Sequence, residues 1–185
     1  MSRPQRSVGV IGSAALGADD PAWHAGYELG GLLAAGGAVV LTGGYGGLME
    51  AVSHGAHAGG GSVVGLPMEA WTHREPNPYA GELRFAADYP ARLAHFLSCD
   101  AVVALDGGVG TLAELAIAWA AALTEPDAPQ LVALGGRWRR ILAALEAELI
   151  VAPGTFALIE VVDTPAAAAA AALGGVRRQG PGPRG

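Results

Sequence analysis

Short apolar runs, each four or five residues long, alternate along the chain with longer stretches of helical character. The runs are rich in Val, Ile, Leu and Ala at successive positions, which is typical of strands buried on both faces. They predict strands over residues 7–11, 38–41, 62–66, 101–105, 131–134 and 158–162. Uniformly apolar strands that are separated by helices indicate a parallel sheet.

The stretches between these runs predict helices that cover the sheet on both faces. Asp19 or Asp20 would cap the first helix and Gly36 would end it, while Pro90 falls in the first turn of another. The predicted helices cover residues 21–35, 48–58, 111–123 and 138–149, and two more begin at 88 or 89 and at 165. Right-handed crossovers then give one doubly wound, Rossmann-like α/β domain over residues 1–173.

Two segments fall outside this pattern. Residues 68–87 contain Pro76 and Pro78 and no periodic apolar run, so we predict an ordered loop or flap there. Trp71 and Tyr79 in this flap could stack on a base or could only anchor the loop. The Gly- and Pro-containing residues 174–185 are expected to form a disordered tail.

The composition excludes several function classes. All 11 Lys and Arg positions are arginine, so the chain lacks the Schiff-base lysine of pyridoxal phosphate enzymes and the lysine of a Walker A loop. A net charge of -6 argues against a nucleic-acid or anionic-membrane partner. The single Cys99 excludes an internal disulfide and a cysteine-based zinc cluster. No apolar run approaches about 18 residues and no signal-peptide pattern is present, so we expect a cytoplasmic protein.

Three glycine-rich turns follow predicted strands, at residues 12–13, 43–47 and 107–110. Ligands of doubly wound sheets bind at the carboxyl ends of the strands, near the point where the strand order reverses. The first turn does not match a dinucleotide fingerprint, because Gly12 and Gly17 are too far apart and no acidic residue ends the second strand. A nicotinamide or flavin cofactor is therefore not expected.

The third turn predicts a phosphate site. Gly107, Gly108 and Gly110 carry no Cβ, so their amides can approach an anion, and the helix that begins at Thr111 adds its unpaired N–H groups and its dipole. Glu114 lies one turn into that helix and admits two interpretations. It could be the acidic member of a capping box with Thr111, or it could act on a sugar carbon some distance from the phosphate.

The segment 107–114, Gly-Gly-x-Gly-Thr-x-x-Glu, together with 43–50, Gly-Gly-Tyr-Gly-Gly-Leu-Met-Glu, resembles the LOG family of cytokinin riboside 5′-monophosphate phosphoribohydrolases. It is also similar to the related molybdenum-cofactor-carrier-like proteins. The resemblance covers roughly residues 8–145 in matching order. It implies that Glu114 is catalytic with Arg92 as its partner, and that the phosphate is held by Gly107, Gly108, Gly110 and Thr111. Further expected ligand contacts are Gly12, Ser13, Gly43, Gly44, Gly46, Gly47 and Glu50.

The sequence departs from the hydrolase pattern at three positions. The family has Pro where this chain has Asp106, and Lys after the catalytic Arg where this chain has Leu93. Glu50 stands where the hydrolases have Gly, which is closer to the carrier-like branch. Asp106 is expected to add negative charge near the phosphate.

The sequence leaves two function classes open. The first is a nucleoside 5′-monophosphate phosphoribohydrolase that releases a free base and ribose 5-phosphate from an AMP-like ligand, with no cofactor. The second is a carrier or sensor that binds a nucleotide or a molybdenum cofactor without turnover. Glu50, His54 and His57 share a helix face, but with no fourth ligand we expect no metal site. By resemblance we also expect a homodimer, with apolar helices at residues 112–123 and after Pro165 available for its contacts.

Overall fold

The computed structural model describes residues 5–175, which form one seven-stranded sheet with helices on both faces. The strands are β1 (Ser7–Ile11), β2 (Val39–Thr42), β3 (Ser62–Gly65), β4 (Glu82–Leu83), β5 (Ala101–Ala104), β6 (Gln130–Leu134) and β7 (Ile159–Val162). The helices are α1 (Pro21–Ala35), α2 (Leu48–Ala58), α3 (Tyr89–Leu97), α4 (Val109–Thr124), α5 (Gly136–Glu148) and α6 (Pro165–Gly174). The predicted α/β class is confirmed.

All neighbouring strands are parallel, in the order β4-β3-β2-β1-β5-β6-β7. The chain leaves β1 towards β2 on one side and returns from β4 to β5 on the other side, so the strand order reverses between β1 and β5. Such a reversal opens a crevice at the carboxyl ends of the two strands, because the following connections lie on opposite faces.

The alternation of side chains along each strand builds two hydrophobic cores. Val8 and Val10 of β1 pack with α1, α2 and α6 on one face of the sheet. Ile11 of the same strand packs on the other face with residues of α3, α4 and α5. Since both faces are covered, the strands need apolar side chains at successive positions, which is the pattern that the sequence shows.

Helices α1 and α2 touch through their backbones. Gly30 of α1 lies so close to the Val52 carbonyl of α2 that a Cβ would collide with it. A Cβ at Gly55 of α2 would likewise collide with the Tyr27 carbonyl of α1. The two glycines therefore set the distance between these helices, and through them the position of the loop that precedes α2.

The structure corrects the sequence analysis at three places. The segment predicted to be irregular contains β4, whose two residues pair with Val64 and Gly65 of β3 and are both exposed. No apolar pattern marks so short an edge strand. Helix α4 begins at Val109, two residues before the predicted start, and Gly174 ends α6 instead of opening a tail. The remainder of the predicted tail lies outside the described residues.

No helix between residues 5 and 175 is both long enough and apolar enough to cross a membrane.

Candidate functional site

A cleft of about 610 Å³ opens at the carboxyl ends of β1 and β5, where the strand order reverses. Residues 12–15 after β1 form one wall, and the start of α4 forms another with Gly108, Gly110 and Thr111. Trp71 and Arg74 reach the cleft from the segment 68–87, which we call the flap. Arg92 and Glu114 also line the cleft.

The first turn of α4 has the geometry of an anion site. Gly108 precedes the helix as its N-cap, and no side chain caps the N–H groups that the first turn leaves unpaired. A Cβ on Gly108 or on Gly110 would meet no atom within 4 Å, so neither glycine is packed against a neighbouring side chain at this turn. A Cβ on Gly107 would collide with the side chain of Thr111, so this glycine also makes room for that side chain.

Arg92 and Glu114 form a buried ion pair on the wall of this cleft. Nη1 of Arg92 donates to Oε1 of Glu114 at 2.8 Å, and Nε of Arg92 donates to the Leu66 carbonyl at 2.9 Å. Arg92 is 5 % exposed and Glu114 is 9 % exposed. The capping-box interpretation is wrong, since the Glu114 side chain turns to Arg92 and Gly108 occupies the cap position.

The surroundings of this pair shift the pKa of its carboxyl group. Burial raises the pKa of Glu114, and the charge and hydrogen bond of Arg92 offset part of that rise. The guanidinium carbon of Arg92 lies 5.8 Å from the ring centroids of Trp71 and Phe96 and 6.0 Å from that of Tyr89. These ring faces stabilise the buried cation. Burial, and then the charge of Glu114, raises the pKa of Tyr89, which also lines the cleft.

Ser13 joins three loops at the cleft. Its N–H donates to the Asp106 carbonyl at 3.0 Å, and its own carbonyl accepts from the N–H of Leu48 at 2.8 Å. The Ser13 hydroxyl accepts from the N–H of Ala15. Gly12 and Ser13 lie in the cleft wall, and the Ser13 backbone also links the turn after β5 to the start of α2.

The glycines of the second glycine-rich turn pack against residues of the cleft without lining it. Gly43, Gly44, Gly46, Gly47 and Glu50 do not belong to the residues that line it. A Cβ on Gly43 would collide with Nη2 of Arg92, so this glycine makes room for the guanidinium. Gly47 has a φ of 73° and lies against the backbone of residues 13–14, where a Cβ would also collide. These glycines position the ion pair and the first loop from outside the cleft lining, whereas Tyr45 of the same turn lines the cleft.

Asp106 does not face the anion site as its sequence position suggested. Its carboxylate forms an ion pair with Nε of Arg137 at 3.3 Å and borders a smaller pocket beside α1, α5 and α6. The expected negative charge at the phosphate position is therefore turned away and partly neutralised. Sequence alone could not reveal this, because Arg137 lies on an element that the motif does not include.

The histidines of α2 do not gather into a metal site. The His54 ring stacks on Tyr79 with centroids 4.0 Å apart and an interplanar angle of 6°. Residues 5–175 contain no group of three His, Cys, Asp or Glu side chains that could hold a metal ion. Tyr79 thus anchors the flap to α2, whereas Trp71 reaches the cleft.

The cleft lining includes polar and aromatic residues that the sequence analysis did not single out, among them Tyr45, Arg74 and Tyr89. Tyr45 lies inside a glycine motif, and the sequence analysis gives it no separate role. Arg74 comes from the flap, where no periodic pattern predicts direction. Tyr89 precedes Pro90 at the start of a helix, and only the packing of α3 against α4 turns it to the cleft.

The sheet order and the cleft at its reversal point define a Rossmann-like α/β protein. Within that class, the chain belongs to the SLOG cluster4 family, whose model matches residues 5–124. An uncharacterized protein of Archaeoglobus fulgidus is 37 % identical over 114 residues, which cover 60 % of this chain and 72 % of the relative. The predicted resemblance to the LOG family and its relatives is confirmed.

Relatives with stated activities divide into two groups. A cytokinin riboside 5′-monophosphate phosphoribohydrolase of Arabidopsis thaliana is 42 % identical over 86 residues, which cover 44 % of this chain and 40 % of that protein. Among solved structures, a molybdenum cofactor binding protein of Rippkaea orientalis matches with a TM-score of 0.70 at 25 % identity. The match covers 89 % of this chain and 93 % of the chain of that protein. The chain thus spans less than half the length of that hydrolase relative and nearly all of that structural neighbour.

Proposed function

We propose that this chain is a nucleoside 5′-monophosphate phosphoribohydrolase. The observation that carries the proposal is the buried Arg92–Glu114 pair in a cleft that also presents the uncapped first turn of α4. A carboxylate beside an anion site would weaken simple binding of a phosphate. It is useful where positive charge develops on the ligand, as it does at the anomeric carbon of a ribose that loses its base.

The proposed reaction uses water and no cofactor. The phosphate of an AMP-like substrate binds at Gly108, Gly110 and Thr111, which leaves the ribose to face Glu114. As the bond between C1′ and the base nitrogen breaks, Glu114 stabilises the oxocarbenium-like centre and takes a proton from the attacking water. The water oxygen bonds to C1′, and the proton that Glu114 has taken passes through solvent to the departing base nitrogen, which leaves Glu114 ionised again. Arg92 holds the carboxylate in position for this step.

The test is base release from a panel of nucleoside 5′-monophosphates. We expect Glu114→Gln to lower kcat by at least about 100-fold, because the amide cannot accept the proton of the water. Glu50→Gln is the matched control, since Glu50 lies in the first turn of α2 outside the cleft lining, and it should retain activity. A Glu114→Gln variant as active as the parent would refute the assigned role.

A carrier function is the alternative, and a specific observation favours it. A molybdenum cofactor carrier protein of Chlamydomonas reinhardtii has a TM-score of 0.68 at 25 % identity and covers 90 % of this chain. Glu50 also matches the carrier-like branch instead of the hydrolases. Under this alternative the same cleft binds a phosphorylated ligand tightly and releases it unchanged.

We also propose that the chain forms a homodimer through α4. Val109, Leu112, Ile117 and Leu123 are exposed on this helix, and none of its residues except Glu114 is charged. Helix α6 is less available, because Ala168, Ala169 and Ala172 are buried in the core of their own chain.

A further inference from the structure

The cleft contains a second arginine whose charge is not neutralised by a carboxylate. Arg74 lines the cleft, and within residues 5–175 no Asp or Glu oxygen forms an ion pair with it. The other arginine of the cleft, Arg92, already pairs with Glu114. Among the charged groups that line the cleft, Arg74 is thus the one whose charge a ligand can use.

Aromatic rings hold Arg74 at the mouth of the cleft. Its guanidinium carbon lies 5.2 Å from the ring centroid of Trp71 and 5.8 Å from that of Tyr45. The N–H of Arg74 donates to the Trp71 carbonyl at 2.9 Å, which closes a turn in the flap. The Tyr45 hydroxyl accepts from the N–H of Met68 at 2.8 Å and ties the start of the flap to the loop after β2. An arginine that is ordered before binding loses less entropy when a ligand arrives.

A bound phosphate monoester needs more positive charge than the rest of the cleft supplies. A phosphate monoester carries about 1.5 to 2 negative charges near neutral pH. The α4 N-terminus supplies only about half a positive charge, and the Arg92–Glu114 pair is close to neutral as a unit. The whole chain has a net charge of -6, so it repels an incoming dianion at long range.

We propose that Arg74 recognises the phosphate monoester of the ligand from the flap, while the amides at the start of α4 bind it from the sheet. The planar guanidinium suits bidentate hydrogen bonding to two phosphate oxygens. This inference rests on the proposed function only in requiring a phosphorylated ligand. A nucleotide and a phosphorylated pterin share that chemistry, and both would need the same cation.

Calorimetric titration of AMP and adenosine into Glu114→Gln protein tests the proposal without interference from turnover. Adding Arg74→Ala should weaken AMP binding by about 10- to 100-fold, the range expected when a hydrogen bond to a charged group is lost. Adenosine has no phosphate, so its affinity should change less than about twofold. Arg74→Lys should restore part of the AMP affinity, because a lysine keeps the charge but not the planar geometry.

Arg84→Ala is the matched control, because Arg84 is an exposed flap arginine that pairs with Glu82 and lies outside the cleft lining. It should leave both affinities unchanged. Equal weakening of AMP and adenosine by Arg74→Ala would overturn the proposal, since Arg74 would then only support Trp71. An unchanged AMP affinity would overturn it too. Arg74-dependent AMP binding by a wild-type protein that releases no ribose 5-phosphate would refute the hydrolase and keep this inference.

Discussion

At the scale of single residues, some glycines of the two motifs act through the side chains that pack against them. Gly43 contributes the space that Nη2 of Arg92 occupies, and Gly107 contributes the space for the Thr111 side chain. The sequence analysis predicts both glycines as ligand contacts, and the structure adds these packing roles. Only the three-dimensional contacts separate a glycine that faces open space, such as Gly110, from one that faces a neighbouring side chain.

Gly43→Ala should disrupt the Arg92–Glu114 pair without unfolding the protein. The new Cβ would push Arg92 away from Glu114, and small misplacements of reacting groups can cost about 100-fold in rate. The measurement is kcat for base release, with circular dichroism to verify the fold. Gly46→Ala is the control, because a Cβ there has Glu50 Oε2 as its nearest neighbour at 3.7 Å. Equal activity in the two variants would contradict the spacing role of Gly43.

The pH dependence of kcat/KM should show the raised pKa of Glu114. The proposed reaction needs the carboxylate, so activity should fall as the pH drops through a pKa above the usual glutamate range. The phenol of Tyr89 stays neutral under these conditions because its pKa is raised as well, so Tyr89→Phe should keep the same acidic limb. An acidic limb at about 4.3, the pKa of an unperturbed glutamate, would contradict the effect of burial.

At the scale of elements, the sequence predicted the framework because each element carries its own pattern. All six predicted helices are present, and six of the seven strands were predicted from their apolar runs. Pro and Asp at the starts of α1 and α3 fixed those boundaries, and the Asp20 and Asp88 side chains do cap them. Strand β4 was missed since two exposed residues at a sheet edge have no pattern.

Gly30→Ala should destabilise the fold by widening the α1–α2 contact. Its Cβ would collide with the Val52 carbonyl, and overpacking of this kind costs about 1–3 kcal/mol. A Cβ on Gly31, one residue further along the same helix, would lie 3.6 Å from the Gly55 carbonyl oxygen, which is an ordinary contact distance. Gly31→Ala should therefore stabilise the folded protein by up to about 1 kcal/mol. Urea denaturation compares the two variants. A Gly30→Ala midpoint at or above that of Gly31→Ala would show that the helices do not need this close approach.

At the scale of the whole molecule, the fold brings together residues that are distant in the sequence. Arg92 and Glu114 come from different helices, 22 residues apart, and meet because α3 and α4 pack on the same face of the sheet. Their pairing was expected from family resemblance, and no spacing rule could have predicted it. The sequence left the role of Trp71 open and gave no prediction for Arg74, since a loop with two prolines has no periodicity that specifies where its side chains point.

The exposed apolar residues of α4 lead to a prediction about assembly. We expect light scattering to give about twice the 18.5 kDa mass of one chain. Ile117→Glu places a charge in the proposed interface and should yield monomers, whereas Ala170→Glu on the exposed side of α6 should not. A monomeric wild type, or an Ile117→Glu variant that remains dimeric, would contradict an α4 interface.

The measurement that bears most directly on the central claim is a product analysis of wild-type protein incubated with nucleoside 5′-monophosphates. Free base, ribose 5-phosphate, nucleoside and inorganic phosphate are quantified together. Cleavage at C1′ with Glu114 acting on the ribose predicts free base and ribose 5-phosphate in equal amounts, and neither nucleoside nor inorganic phosphate. Tight binding with every monophosphate recovered intact would contradict the account and favour a carrier.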